Sequence, residues 1–378
     1  MTVTSGAKTR ASPGRRRRAP RRCAARRRAE RVRAFRLLGV VAVVALAGAA
    51  SGDDLRVLLF EARGETRIAG ARVAPDGSGL RVDGRRVGRR WVAPGPGPHR
   101  AGDQWVRGSV AVERQGSGLR VINRVPLETY VAGTLGAEVY SRWDANALRA
   151  QAVVTRTYAL YQRAHSGAQG YDVEAGTSDQ VYGGVASESE SIARAVADTR
   201  SEVLTWNGDP ILAAFHSAAG GRTASAEEVW GEPLAYLRSV DVDGEDESPD
   251  TYWRVRMSRS QLDGALAPLG LRLGAVREAR VAERTASGRA ARVELFGSDG
   301  SASVTGRQLR SALGDSLIRS TLFEIRDIGG DVVIVGSGHG HGVGMSQWGA
   351  QVMAERGVDY REILAAFYPG TRLERRTP

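Results

Sequence analysis

Residues 125–160 read VPLETYVAGTLGAEVYSRWDANALRAQAVVTRTYAL. Pro126 suits the first turn of a helix, where its missing N–H is no loss. Leu127, Tyr130, Val131 and Leu135 then recur at helical spacing, which predicts an apolar helix ending near Glu138. Tyr140–Trp143 break the period. Asp144 is a good N-cap for a second, longer helix reaching about Ala164. On it Leu148, Ala152, Thr155 and Ala159 share one face, while Arg149, Arg156 and Arg163 recur on the other side at seven-residue intervals.

Working outward, residues 51–120 are β-patterned. Short runs such as Leu55–Phe60, Leu80–Val82 and Val110–Val112 are broken by turn signals at Asp76-Gly77 and Asp83-Gly84. Pro94-Gly95-Pro96-Gly97-Pro98 is a loop, since proline supplies no ladder donor. Beyond the helices, residues 200–260 mix short strands with an acid-rich polar loop from Asp241 to Asp250. Val293–Phe296 suggests a hairpin, and Thr305-x-x-Gln308 is a capping box. A glycine-alternating stretch from Gly336 to Gly344 leads into a helix that Gly357 ends. Asp359-x-x-Glu362 caps another running to about Tyr368, and Pro369-Gly370 closes the fold. With no internal repeat and an irregular order of strands and helices, the pattern predicts an α+β fold rather than a doubly wound sheet. The expected parts are a β-rich module over 51–120 and a mixed core over 121–373, with 241–315 as a peripheral α+β subregion.

Charge is unevenly placed along the 378 residues, whose formal net charge is +12. Fourteen of the 54 basic residues and one of the 42 acids lie in 1–36, leaving forty basic against forty-one acidic residues elsewhere. The folded region is close to neutral, so electrostatics give no support to a nucleic-acid groove. Leu37–Ala50 is an unbroken apolar and small-residue run behind the arginines. A bilayer span needs about 20 residues, whereas a signal-peptide core needs roughly 7–15. Ala45-Leu46-Ala47 and Ala47-Gly48-Ala49 offer small-x-small cleavage patterns. The expectation is a basic, disordered n-region on the cytoplasmic side, then a cleaved signal or a retained anchor, with the remainder outside the cytoplasm. That hydrophobic segment is the sole expected membrane contact. Cys23, the only cysteine, lies in the tail, so the exported part has no thiolate nucleophile and no thiolate metal site.

Few side chains are left for chemistry. His99 and His165 are isolated, and a solvated or capping role suits them. His339-x-His341 supplies two imidazoles where a catalytic zinc needs three protein ligands. The surrounding glycines lack the Lys-Ser/Thr ending of a phosphate loop. His216-Ser217 does not make a serine hydrolase, because neighbours on one strand point to opposite faces and no Gly-x-Ser-x-Gly elbow exists. Among the acids, Glu138 ends an apolar helix with Tyr140, Arg142 and Trp143 beside it. Such a setting raises a carboxyl's pKa toward that of a general acid; a surface glutamate at a helix terminus is the alternative.

Four ordered blocks resemble the SpoIID/LytB family, named for stage II sporulation protein D. The first is Val125–Gly133 continuing through Gly136-Ala-Glu138 to Trp143, then Ala147–Val153 and Arg156-Thr-Tyr158. The second is Thr177-Ser-Asp-Gln-Val-Tyr-Gly183. The third is Phe215-His-Ser-Ala-Ala-Gly-Gly221 with Glu228-Val-Trp-Gly231 and Tyr236–Val240. The fourth is Gly338-His-Gly-His-Gly-Val-Gly-Met-Ser-Gln-Trp-Gly-Ala350, ending in Phe367-Tyr-Pro-Gly370. Thr305–Arg310 adds support, and the likeness runs over roughly 120–373.

The resemblance implies an exported lytic transglycosylase that cuts the MurNAc–GlcNAc bond of glycan strands stripped of stem peptides. Glu138 would be its single acid/base, giving 1,6-anhydro ends. Hydrolytic glycosidases usually hold a second carboxylate about 5–9.5 Å away, but ring closure by the sugar's own C6 hydroxyl requires none. Tyr140, Arg149, Gln151, Gln180, Tyr182, His216, Ser217, His341, Ser346 and Gln347 are implied as substrate-binding residues. The partners implied are peptidoglycan glycan strands and, through the LytB branch, a cell-wall amidase that a non-catalytic relative would modify; no nucleic acid is expected. Relatives that bind zinc do so partly through cysteine near the second block. None stands there, so no metal and no cofactor are expected. His339 replaces a residue more often aromatic, which suggests a wall contact rather than a ligand.

Overall fold

The computed structural model describes residues 54–376; the expectations for the tail 1–36 and the apolar run 37–50 lie outside the described residues. The fold is α+β. Asp54–Ala62 pairs antiparallel with Gly118–Pro126, which pairs with Ser109–Gln115; Val173–Glu174 and Arg90–Val92 complete this five-stranded sheet. Short hairpins over Thr66–Val106 form a second sheet, with turns at Asp76-Gly77 and Asp83-Gly84 as the turn residues predict. Gly118–Pro126 carries the chain across residue 120 without a break and feeds helix α1, Leu127–Glu138. Pro126 is extended, at φ −57° and ψ 141°, so it closes the strand rather than sitting in the first helical turn.

Helix α2, Ala145–His165, is opened by Asp144, whose side chain accepts from the Asn146 N–H at 2.8 Å. It is buried on two sides. Leu148, Ala152 and Ala159 join a core with Leu55, Val57, Val121, Tyr130 and Leu135. Ala147, Ala150, Val153 and Val154 join a second core with Leu204, Val343, Met345, Ile363 and Phe367. The side of α2 that carries Arg149, Arg156 and Arg163 is therefore partly internal, and Arg156 is fully buried. Its guanidinium donates to both carboxylate oxygens of Glu128, at 3.0 and 2.7 Å, and to the Glu202 carbonyl at 3.1 Å. Bidentate pairing is what lets an arginine enter a core.

Helix α3, Glu190–Asp198, packs on α1 and α2. Helix α4, Ala226–Trp230, lies within the third sequence block. A third core gathers Trp253, Leu262, Val293, Leu309, Phe323 and Ile334. It lies among two three-stranded sheets, α5 at Arg259–Leu266 and α6 at Gly306–Leu313. Thr305 and Gln308 form the expected capping box on α6. The chain then returns to the second core through a short parallel pairing of Phe215–His216 with Met345–Ser346. Helices α7, Gln347–Glu355, and α8, Tyr360–Phe367, with the strand Arg372–Arg375, finish the fold. Among the described residues no helix is long and apolar enough to cross a membrane.

Candidate active site

Glu138 is the last residue of α1 and half-buried. The face of α1 before it is made of small residues, and this lets another segment lie against the helix. Gly183 donates its N–H to the Gly133 carbonyl at 2.9 Å. A Cβ on Gly136 would stand 1.9 Å from the Ser187 carbonyl oxygen, so only glycine admits the segment there. The close approach delivers the Val181 N–H to Glu138 Oε1 at 2.6 Å. From the other side Gln347, the first residue of α7, donates its amide to the Glu138 carbonyl oxygen at 3.4 Å.

Burial raises the Glu138 pKa above the ordinary glutamate value, against hydrogen bonds from Val181 and Gln347 that favour the anion. A position at the C-terminal end of a helix acts in the same direction as burial. Just beyond Glu138 in the chain, Tyr140 and Trp143 meet Trp348 of α7 edge to face, at centroid distances of 5.8 Å (Tyr140–Trp143), 6.4 Å (Tyr140–Trp348) and 5.1 Å (Trp143–Trp348). Tyr140 is 48 % exposed. The arrangement offers a proton donor beside an aromatic surface, which suits a sugar ring with one apolar face and a hydroxylated rim.

The other predicted residues separate. Gln347, Tyr140 and the second block reach Glu138 or its surroundings. Gln180 is fully buried, and its Oε1 accepts the Tyr130 hydroxyl at 2.9 Å. Tyr182 is a core residue, correcting its reading as a cleft side chain. Its ring stacks on Tyr130 at 5.3 Å, its hydroxyl donates to Asn123 Oδ1 at 3.0 Å, and the side chain is buried. Gln151 is likewise buried inside α2 and touches Thr155 at 3.4 Å. Arg149 forms an ion pair with Asp198 of α3 at 2.8 Å, bridging two helices rather than meeting Glu138.

His216, Ser217, His341 and Ser346 form a separate group where the third and fourth blocks meet. The His216 and His341 rings lie 5.7 Å apart. His216 Nδ1 donates to the Val343 carbonyl at 3.1 Å. Burial, then the neighbouring His341 and Arg289, hold the His216 pKa well below its ordinary value. Burial also pushes His341 down to about 4. Both imidazoles are therefore neutral at neutral pH and serve as fixed hydrogen-bonding groups. Among the described residues no three His, Cys, Asp or Glu side chains gather as a metal site. His339 bonds Asp250 Oδ2 at 2.8 Å. His165 bonds the Tyr161 carbonyl at 2.7 Å as a helix-end group, but His99 is buried rather than solvated.

Glu245 was not singled out from the sequence. It is a buried carboxylate in the acid-rich loop. It accepts the N–H groups of Ala219, Gly220 and Gly221 at 3.0, 2.8 and 3.4 Å, and the Ser346 hydroxyl. Ser346 in turn caps α7, accepting from the Gly349 N–H at 3.2 Å. Glu245 thereby braces the turn after His216 against the helix that supplies Gln347. Its neighbours Asp241, Asp243, Asp246 and Glu247 carry the same charge in the sequence, so only the backbone donors distinguish it.

Comparison with known proteins defines the class. Residues 115–206 match the model of the Stage II sporulation protein family, and 224–344 match a domain of unknown function, DUF8618. An uncharacterized protein of Brachyspira hyodysenteriae is 34% identical over 251 residues, covering 66% of this chain and 67% of that protein. Stage II sporulation protein D of Bacillus subtilis is 30% identical over 67% of this chain and 75% of its own length. The Bacillus subtilis amidase enhancer is 30% identical over 64% of this chain and 40% of its own. The family match and these relatives place the chain among the stage II sporulation proteins. The chain belongs to the SpoIID family.

Proposed function

We propose that this chain is an exported peptidoglycan lytic transglycosylase acting on glycan strands stripped of stem peptides, with Glu138 as its one acid/base. The observation that carries the reading is the Glu138 carboxyl itself. Burial raises its pKa, the Val181 N–H orients it, and the chain runs on from it into the aromatic cluster of Tyr140, Trp143 and Trp348. In the protonated form it gives its proton to the oxygen of the MurNAc–GlcNAc bond as that bond breaks and the anomeric carbon becomes oxocarbenium-like. The resulting carboxylate then takes the proton of the sugar's C6 hydroxyl as O6 bonds to C1, closing the 1,6-anhydro ring and restoring the acid. The Val181 donor steadies the anionic form between the two transfers. Gln347 holds the end of α1 in place.

The test is mass spectrometry of products from amidase-stripped glycan. Release of anhydro-ended saccharides by the parent chain and not by Glu138→Gln supports the mechanism. Unmodified strands from the parent, or full activity of Glu138→Gln, overturn it. The amidase enhancer among the relatives favours a second reading, in which the chain binds glycan and modifies an amidase without cutting. On that reading Glu138→Gln leaves amidase stimulation unchanged.

A further inference from the structure

A cavity of about 930 Å³, whose lining does not include Glu138, is walled by α4, the segment around Arg289, the start of α6 and His341. All its lining residues fall within 224–344, the segment that matches a domain of unknown function. The volume is at the upper end of small-molecule sites, roughly 300–1,000 Å³, and far exceeds what a simple ion needs.

Its charges are incompletely matched. Arg310 pairs with Asp315 at 3.5 Å, and Glu228 accepts the Ser287 hydroxyl. Arg289 and Arg307 have no carboxylate partner among the described residues. Arg307 lies exposed at the rim, where it donates to the Val229 carbonyl at 3.1 Å beside Trp230. Arg289 is 2 % exposed. It donates to the Arg222 and Ala219 carbonyls at 2.9 and 3.0 Å, and its Nε–H has no protein acceptor. A Cβ on Gly342 would stand 2.4 Å from Arg289 Nη2, so the glycine-alternating loop is shaped around this guanidinium. Burial lowers the Arg289 pKa to about 10, which still leaves it charged at neutral pH. A buried cation whose direct contacts are all carbonyls, with Glu228 and Glu245 acting on it only through space, keeps a free N–H for an anionic ligand. Trp230 is 39 % exposed and is braced by the His341 ring at 5.5 Å, while Thr285, Gln308 and Ser311 add polar groups to the lining. An aromatic face with a polar rim and unpaired guanidiniums matches a sugar better than an apolar ligand.

We propose that this cavity binds an anionic saccharide, with its carboxylate on Arg289 and Arg307 and a pyranose ring laid on Trp230. For the identity of the sugar the inference rests on the glycan reading above. A stripped strand exposes the lactyl carboxylate of each muramic residue, whereas a stem peptide ties it up as a neutral amide. The cavity would therefore select stripped strands at a point separate from the cutting acid.

The experiment uses the full chain carrying Glu138→Gln, so that nothing is cut, and calorimetric titration with three probes. These are a muramic-acid-containing tetrasaccharide with free lactyl carboxylates, the same saccharide as lactyl amides, and a neutral N-acetylglucosamine tetramer. The free acid is expected to bind about tenfold or more tighter than the amide, the size of a charge-assisted hydrogen-bond pair. Arg307→Ala should remove most of that discrimination, and Trp230→Ala should weaken both muramic ligands. Arg289 ties two loops together, so the rim variants carry the test, with circular dichroism confirming their fold. Equal affinity for acid and amide, no binding at all, or parent-like binding by both rim variants overturns the inference. If discrimination is found while the parent chain releases no anhydro product, the catalytic reading fails and this one stands. If product is released without discrimination, the reverse holds.

Discussion

Replacing Glu245 with alanine removes the acceptor for three backbone N–H groups and one hydroxyl. Gly220 and Gly221 lie near the surface and find water, so their loss is small. Ala219 and Ser346 are buried, and their donors do not. An orphaned buried donor costs about 1–3 kcal/mol. Ser346 recovers a little by turning toward the Ser217 carbonyl, 3.5 Å away. The sum is a loss of about 3–5 kcal/mol, a large share of the roughly 5–15 kcal/mol that holds a domain together. Glu245→Gln keeps one acceptor oxygen but turns an NH2 toward the remaining donors, so it should lose about half as much. Because Ser346 caps the helix that begins with Gln347, the alanine variant should also lose the proposed glycan-cutting activity at temperatures where it remains folded. Urea denaturation at fixed pH measures the first effect and product release the second. A stability loss under about 1 kcal/mol for Glu245→Ala would refute the reasoning.

Two further perturbations separate structure from chemistry. Glu138 has a raised pKa in the folded state, so folded protein binds more protons than unfolded protein between the two values. Stability therefore falls as pH rises through that window and is not regained above it; Glu138→Gln should melt higher than the parent at neutral pH and level with it near pH 4, and a parent that is the more stable at neutral pH would contradict the assigned burial effect. Arg156→Ala leaves Glu128 without its bidentate partner inside the protein and should cost about 3–5 kcal/mol by chemical denaturation, where a surface arginine would cost almost nothing.

The sequence made the local features legible and left the long-range ones hidden, for a definite physical reason. Caps and periods are decided within about four residues, so Asp144, Thr305 with Gln308, and Asp359 were all readable as helix starts. The burial of Arg156 depends on Glu128, twenty-eight positions away, and on a carbonyl forty-six away. Nothing in an i, i+4 pattern distinguishes such an arginine from a solvated one. Tyr182 misled for the related reason that a tyrosine in a motif is as readily a core group with a satisfied hydroxyl as a ligand contact.

Glu138 shows how the site itself divides between the two. Its place at the end of an apolar helix beside aromatics was visible, and by itself left a surface glutamate equally open. What distinguishes it is the Val181 donor, forty-three positions on, and Gln347, more than two hundred on. A local trace of that meeting does exist. An apolar helix whose face before the acid is Gly133, Gly136 and Ala137 gives up packing surface and helix propensity, a loss that is recovered only if another backbone lies against it. The incoming segment fills that face, and Val181 at its start places a backbone N–H 2.6 Å from the carboxyl. The small face next to a terminal acid is therefore the feature that ties the local sequence to the chemistry. Enlarging Gly136 to alanine should displace the Val181 donor and impair proton transfer while Glu138 itself remains in the chain.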